Sequence, residues 1–157
     1  MTADRYALAP WRDERAPREY PLEYDAFRQL NHQPYLRYAC LRTGDPVRAE
    51  RSVSLAFAAL YARWPDTLRS PCPAAAAWEI LHTAVDVEGQ YGRNPEPQLP
   101  CVLTAAQADA VRLHHHLGLS VHKTAALMGT EEDSVRALLR SAARTAGVVC
   151  ARASRRA

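Results

Sequence analysis

Arg136, Arg140 and Arg144 recur at i, i+4 and i+8, and from Ser134 to the last residue there are six arginines and no acid. On a helix that spacing gathers the three side chains onto one edge. Val135, Leu138, Leu139 and Ala142 fall on another side of the same helix. One face suits a core and the other a polyanion. The whole chain carries a net charge of only +3, so the local concentration of arginine is the electrostatic footprint of a nucleic-acid partner.

Other residues with chemical potential lead nowhere comparable. His114-His115-His116 are consecutive, and consecutive helical residues point about 100° apart, so they cannot share one ion. The position four on from His114 is Gly118, which ends the helix. Cys40, Cys72, Cys101 and Cys150 form no C-x-x-C pair, which indicates neither a zinc site nor a disulfide framework. They read as small buried or half-buried apolar residues. Cys101 with a nearby histidine lacks an orienting acid close in sequence. The expectation is a protein that is not an enzyme and needs no metal or cofactor.

The elements that must position the arginine row are legible from their boundaries. Thr104-Ala-Ala-Gln107 has the form of a capping box, in which hydroxyl and amide satisfy each other's free backbone N–H groups. Ala106, Ala110, Leu113 and Leu117 follow at helical spacing and Gly118 ends the run. Ser120 caps a second helix with Val121, Thr124, Ala125 and Met128 as its buried stripe, and Gly129 makes a tight turn. Thr130-Glu-Glu-Asp133 starts the third helix, with acids in its first turn where the macrodipole favours them. Such a pair of helices joined by a glycine turn has the helix-turn-helix form, whose second helix lies in the DNA major groove.

Upstream, helical pattern begins near Leu22, where Tyr24, Phe27 and Leu30 share a face, and a second helix is expected from Pro34 to Leu41 with Leu36, Tyr38 and Ala39. Gly44-Asp45-Pro46 breaks the chain and starts a helix to Trp64, whose Ala49, Val53, Ala56, Phe57, Leu60 and Trp64 form a long apolar stripe. Residues 65–73 read as loop, and a further helix over 74–88 buries Trp78, Leu81 and Val85. Residues 89–100 hold two glycines and three prolines, a composition that stops a helix. The predicted organisation is all-α: an N-terminal arm over 1–20, a helical domain over 21–90, a linker over 91–100, a helix-turn-helix domain over 101–147 and a basic tail over 148–157. No apolar run approaches a membrane span, and the N-terminus lacks a signal peptide's apolar centre. A cytoplasmic location without membrane insertion is expected.

Two stretches together resemble a bacterial RNA polymerase sigma factor of the extracytoplasmic-function (ECF) group, over roughly residues 21–90 and 101–147. The C-terminal likeness is carried by Gly118-Leu119-Ser120, Ala125, Leu127-Met128-Gly129, Glu132, Val135, Arg136 and Leu139. The N-terminal one is carried in order by Phe27, Leu36-Arg37-Tyr38-Ala39, Gly44-Asp45, Ala49-Glu50, Val53, Ala56-Phe57, Leu60, Trp64 and Trp78. The resemblance implies a sigma-2-like bundle of three or four helices joined to a sigma-4-like helix-turn-helix. It implies RNA polymerase core and promoter DNA as partners, and an anti-sigma or other regulatory protein as a further one. The C-terminal domain would read the upstream (minus thirty-five) element, while the N-terminal domain docks on the polymerase clamp and captures unpaired bases downstream. By position, Arg136 and Arg140 would face the groove or adjacent phosphates. Glu132 and Ser134 would lie near base edges, and Lys123 and Arg144 along the phosphate backbone. Glu50, Arg51, Ser54 and Leu55 occupy the polymerase-docking positions. Here the family's polar pattern has changed, with Arg51 in place of an acid and Ser54-Leu55 in place of Gln-Glu, while residues 74–88 carry Glu79, Asp86 and Glu88 but no Lys or Arg. Those changes motivate an alternative: a sigma-like regulator or adaptor without full initiation activity.

Overall fold

The computed structural model describes residues 20–90 and 103–154, with side chains for 20–89 and 103–147. The arm over 1–19, residues 91–102 with the linker and Cys101, and residues 155–157 lie outside the described residues. Everything regular among the described residues is helical.

The first helix, α1 (Leu22–Thr43), runs without interruption through Pro34, where the sequence pattern suggests two helices. Proline removes the bond to the carbonyl four residues back, that of Leu30. Leu30 is itself 77% exposed, on the side of the helix away from the core. Leu30 therefore does not share the buried face of Tyr24; Asn31, Tyr35, Tyr38 and Ala39 extend that face instead. At the far end Gly44 turns left-handed at φ 65° and its N–H reaches the Cys40 carbonyl at 2.9 Å.

Asp45 then caps α2 (Pro46–Ala62), its carboxylate accepting the Val47 N–H at 2.8 Å. All six residues of the expected apolar stripe, Ala49 to Trp64, are buried. Residues 65–73 are not all loop. A short helix α3 (Trp64–Arg69) takes Pro65 in its first turn, where the missing N–H costs nothing. The last helix of this half, α4 (Pro73–Gln90), packs on α2 and α1. Tyr35 stacks on Phe57 with ring centroids 5.6 Å apart, Tyr38 meets Trp78 at 4.7 Å, and the Tyr24 hydroxyl donates to the Phe57 carbonyl at 2.7 Å. Burial pushes the Tyr24 phenol up to about 12. It remains a donor at any physiological pH.

Thr104 and Gln107 close the reciprocal capping box at the start of α5 (Ala105–Val111), which continues into a π turn over Arg112–His116. The Leu117 N–H bonds back to Arg112 rather than to Leu113. The inward face is set by Ala108, Asp109, Ala110, Arg112 and Leu113, and Ala106, in the first turn, is exposed. Ser120 caps α6 (Val121–Met128), accepting the Lys123 N–H at 3.2 Å. After Gly129 the chain enters α7 (Glu132–Ser154), which begins one residue later than a Thr130 cap gives and runs through Gly147 into the segment read as a basic tail. No helix among the described residues is long and apolar enough to cross a membrane.

The core does not stop at the end of α4. Leu113 and Leu127 belong to the same apolar cluster as Tyr38, Trp78 and Leu81, with Leu117, Leu119 and Met128 packed at its margin. Ala108, Ala110, Val135 and Ala142 are buried outside that cluster, where α7 packs against α5 and α6.

Candidate nucleic-acid interface

The turn between α6 and α7 depends on Gly129 for two reasons. Its φ is +64°, and a Cβ there would run into the backbone of Ala75 at the start of α4. Only glycine meets both demands. The turn is thereby seated on the first half of the molecule, and the Cys72 thiol lies 3.4 Å from the Gly129 carbonyl.

From this turn α7 leads outward. Val135 and Ala142 are buried, Leu138 and Leu139 half-buried, and Ser134, Arg136, Arg140 and Arg144 exposed. Lys123 on α6 is exposed as well. The geometry therefore brings the arginine row and Lys123 to solvent on the α6–α7 pair.

The front end of that surface has a feature that the arginine periodicity does not reveal. Arg136 is clasped by two acids of its own helix, Glu132 at 2.7 Å and Asp133 at 2.8 Å. Glu132 is held in turn by His122 Nδ1 at 2.9 Å. The His122 contact, followed by Arg136, holds the Glu132 carboxyl below its usual range. Arg140 and Arg144 thus form the part of the row farther from the acids, while Arg136 reaches a phosphate only by exchanging partners. His122 went unnoticed in the sequence because its contact with Glu132 crosses the turn.

The second set of predicted residues lies on α2. Glu50, Arg51, Ser54 and Leu55 are all exposed on its outer side beside Val47, which is 70% exposed. Arg51 approaches Glu88 of α4 at 3.8 Å. Next to this face an open groove of about 450 Å³ runs between α1 and α2, lined by Tyr20, Arg28, His32, Arg51 and Tyr61 among others. The two predicted surfaces are separate, one on α2 and one on α6–α7. His114 of the histidine run points its Nδ1 at the Leu119 carbonyl, 2.7 Å away.

A third constellation, absent from the sequence expectations, joins the halves. The Asp109 carboxylate, 3% exposed, accepts the Tyr38 hydroxyl at 2.7 Å, His82 Nε2 at 2.6 Å and the Arg112 guanidinium at 3.0 Å. Arg42 bonds the Tyr38 oxygen at 2.7 Å and pairs with Asp86 at 2.6 Å. Burial, followed by the neighbouring Asp109 charge, raises the Tyr38 phenol far above its ordinary value. The hydrogen bond to Asp109 raises the His82 imidazole against the opposing effect of burial. A signal did exist: Asp109 lies on the Ala106–Leu113 side of its helix, and His82 one turn after Trp78.

The chain matches no protein-family model, no curated protein and no solved structure.

Proposed function

We propose that this protein is a sigma-like transcription factor of the ECF kind, with a sigma-2-like unit over 21–90 and a sigma-4-like unit over 101–147. In this reading α7 enters the major groove of promoter DNA. The exposed Arg140 and Arg144 together with Lys123 engage phosphates, while Ser134, Glu132 and Arg136 lie at the base edges. The outer side of α2, with Glu50, Arg51, Ser54 and Leu55, meets RNA polymerase core. The observation that carries the proposal is the arginine-edged helix presented to solvent directly after a glycine turn that nothing but glycine can make. No bond chemistry is assigned to the protein. A cytoplasmic location and a regulatory partner protein belong to the same reading.

One observation favours the alternative, a sigma-like adaptor or regulator without full initiation activity. The clasp on Arg136 places Glu132 and Asp133 where phosphate would approach, and like charge repels at that end. Copurification with core polymerase separates the two. The initiation factor binds core stably and competes with other sigma factors; the adaptor binds duplex DNA or a protein partner and leaves core alone.

A further inference from the structure

The α6–α7 pair is bridged across its turn by a contact to which the proposed function gives no task. His122, in the first turn of α6, sets its Nδ1 2.9 Å from Oε1 of Glu132, in the first turn of α7. An ionised carboxylate only accepts, so the proton sits on Nδ1 and the bond runs from ring to acid. Arg136 takes the other oxygen, Oε2, at 2.7 Å. Each carboxylate oxygen has room for two donors, so Glu132 can still accept from a further group.

The two acids at the head of α7 differ for this reason. Among the described residues Asp133 is held by Arg136 alone, and its side chain is 95% exposed. Glu132 is 39% exposed and has one partner on its own helix and one on α6. When Arg136 turns to DNA, Asp133 loses its one tether. Glu132 keeps its second, because the ring that holds it belongs to the other helix. The placing of that ring is itself fixed, since Gly129 makes the turn at φ +64° and is seated against Ala75.

A glutamate at the head of a helix in the major groove can accept from the exocyclic amino group of cytosine. A free side chain must first give up its rotamer freedom, whereas a tethered one has already done so. The bridge is weak while water surrounds it, and an interface that excludes water strengthens it.

We infer that His122 is a positioning residue for base readout: reaching across the turn, it keeps the Glu132 carboxylate poised to accept from a base amino group, cytosine N4 by its chemistry, while Arg136 engages the DNA. The readout rests on the DNA-binding function proposed above, whereas the bridge itself does not. His122 sets the selectivity of another side chain and contributes little to affinity of its own.

The test uses the full chain, a random-sequence duplex library and the duplex selected from it. At one base position Glu132→Ala is expected to cut the preference for the selected base roughly tenfold, and His122→Ala roughly three- to fivefold at that same position. The double variant loses no more than Glu132→Ala alone. His122→Gln, whose amide also donates, keeps the preference, as does Asp133→Asn. Affinity of His122→Ala for a duplex of unrelated sequence stays as in the parent. An unchanged preference in His122→Ala, an equal loss over all duplexes, or additive losses in the double variant would overturn the inference. In the free chain the His122 ring resonances are expected to move on Glu132→Ala; if they stay, the bridge is overturned and the proposed function still stands. A parent that selects no sequence would overturn that function, and this inference with it.

Discussion

The seam around Asp109 and the front of α7 are built from the same pieces, an acid gripping an arginine, in opposite surroundings. Asp109 and Arg112 are 3% and 10% exposed; Glu132 and Arg136 are 39% and 46% exposed. At the seam, water is not there to replace a lost partner, so each bond is a fastening. On α7 water and salt compete at all times, so the clasp on Arg136 holds only weakly and, under the proposed function, would give way to a phosphate that offers a better geometry. The comparison teaches that pairing chemistry alone does not say whether a residue is structural or functional. Burial decides it.

That contrast breaks most visibly if the seam is cut. Asp109→Ala takes from Tyr38, His82 and Arg112 the buried carboxylate they share, and urea unfolding is expected to show a loss of about 3–5 kcal/mol. A loss below ~1 kcal/mol would put Asp109 in the same class as the exposed acids. On α7 the order of effects reverses, with little change in stability and a large one in binding. Replacing Arg140 and Arg144 together by alanine is expected to flatten the log–log salt dependence of duplex binding by about 2, since each neutralised phosphate contributes roughly −0.9. Arg136→Ala alone should weaken binding roughly ten- to hundredfold and relax selectivity at one base position; a uniform loss over all sequences would confine it to phosphate. Asp133→Asn, which opens the clasp, should tighten duplex binding by less than Arg136→Ala weakens it, as measured by titration at low salt.

A smaller effect sharpens the buried side of the comparison. Thr124 is fully buried and its hydroxyl meets no hydrogen-bond partner among the described residues. Thr124→Val should therefore stabilise the chain by about 1 kcal/mol in thermal unfolding. Smallest is the pH dependence of the seam. His82 is faced by Tyr38 and Arg42 from α1, Asp109 and Arg112 from α5 and the π turn, and Asp86 on its own helix, and its imidazole is raised above the ordinary value. A raised value means that the protonated ring stabilises the folded seam fully below about pH 6.5 and that this contribution fades as pH rises through the raised value. Stability in urea should accordingly fall as pH rises above about 6.5, and the fall should vanish in His82→Gln.

The sequence was most readable where one helix face decides everything. The α2 stripe and the Thr104–Gln107 box could be placed residue by residue, because each depends on neighbours within a few positions. Pro34 and Pro65 misled in opposite ways for one reason: a proline ends a helix only where its missing N–H leaves something unsatisfied. Near Pro34 the freed carbonyl belongs to Leu30, an exposed residue, and at Pro65 the first turn has no bond to lose. The arginine row followed from periodicity, and the clasp on Arg136 lies at the same i−3 and i−4 spacings. The Asp109 network could not be read, because Tyr38 stands 71 positions away and His82 27, and no local pattern says which distant groups an aspartate on an apolar face will meet.

Reconstituted transcription with RNA polymerase core and a promoter library tests the central claim most directly. The account predicts specific transcripts that depend on this protein and disappear when Arg136, Arg140 and Arg144 are replaced. A protein that binds neither core nor any promoter, and yields no transcript above core alone, would contradict it.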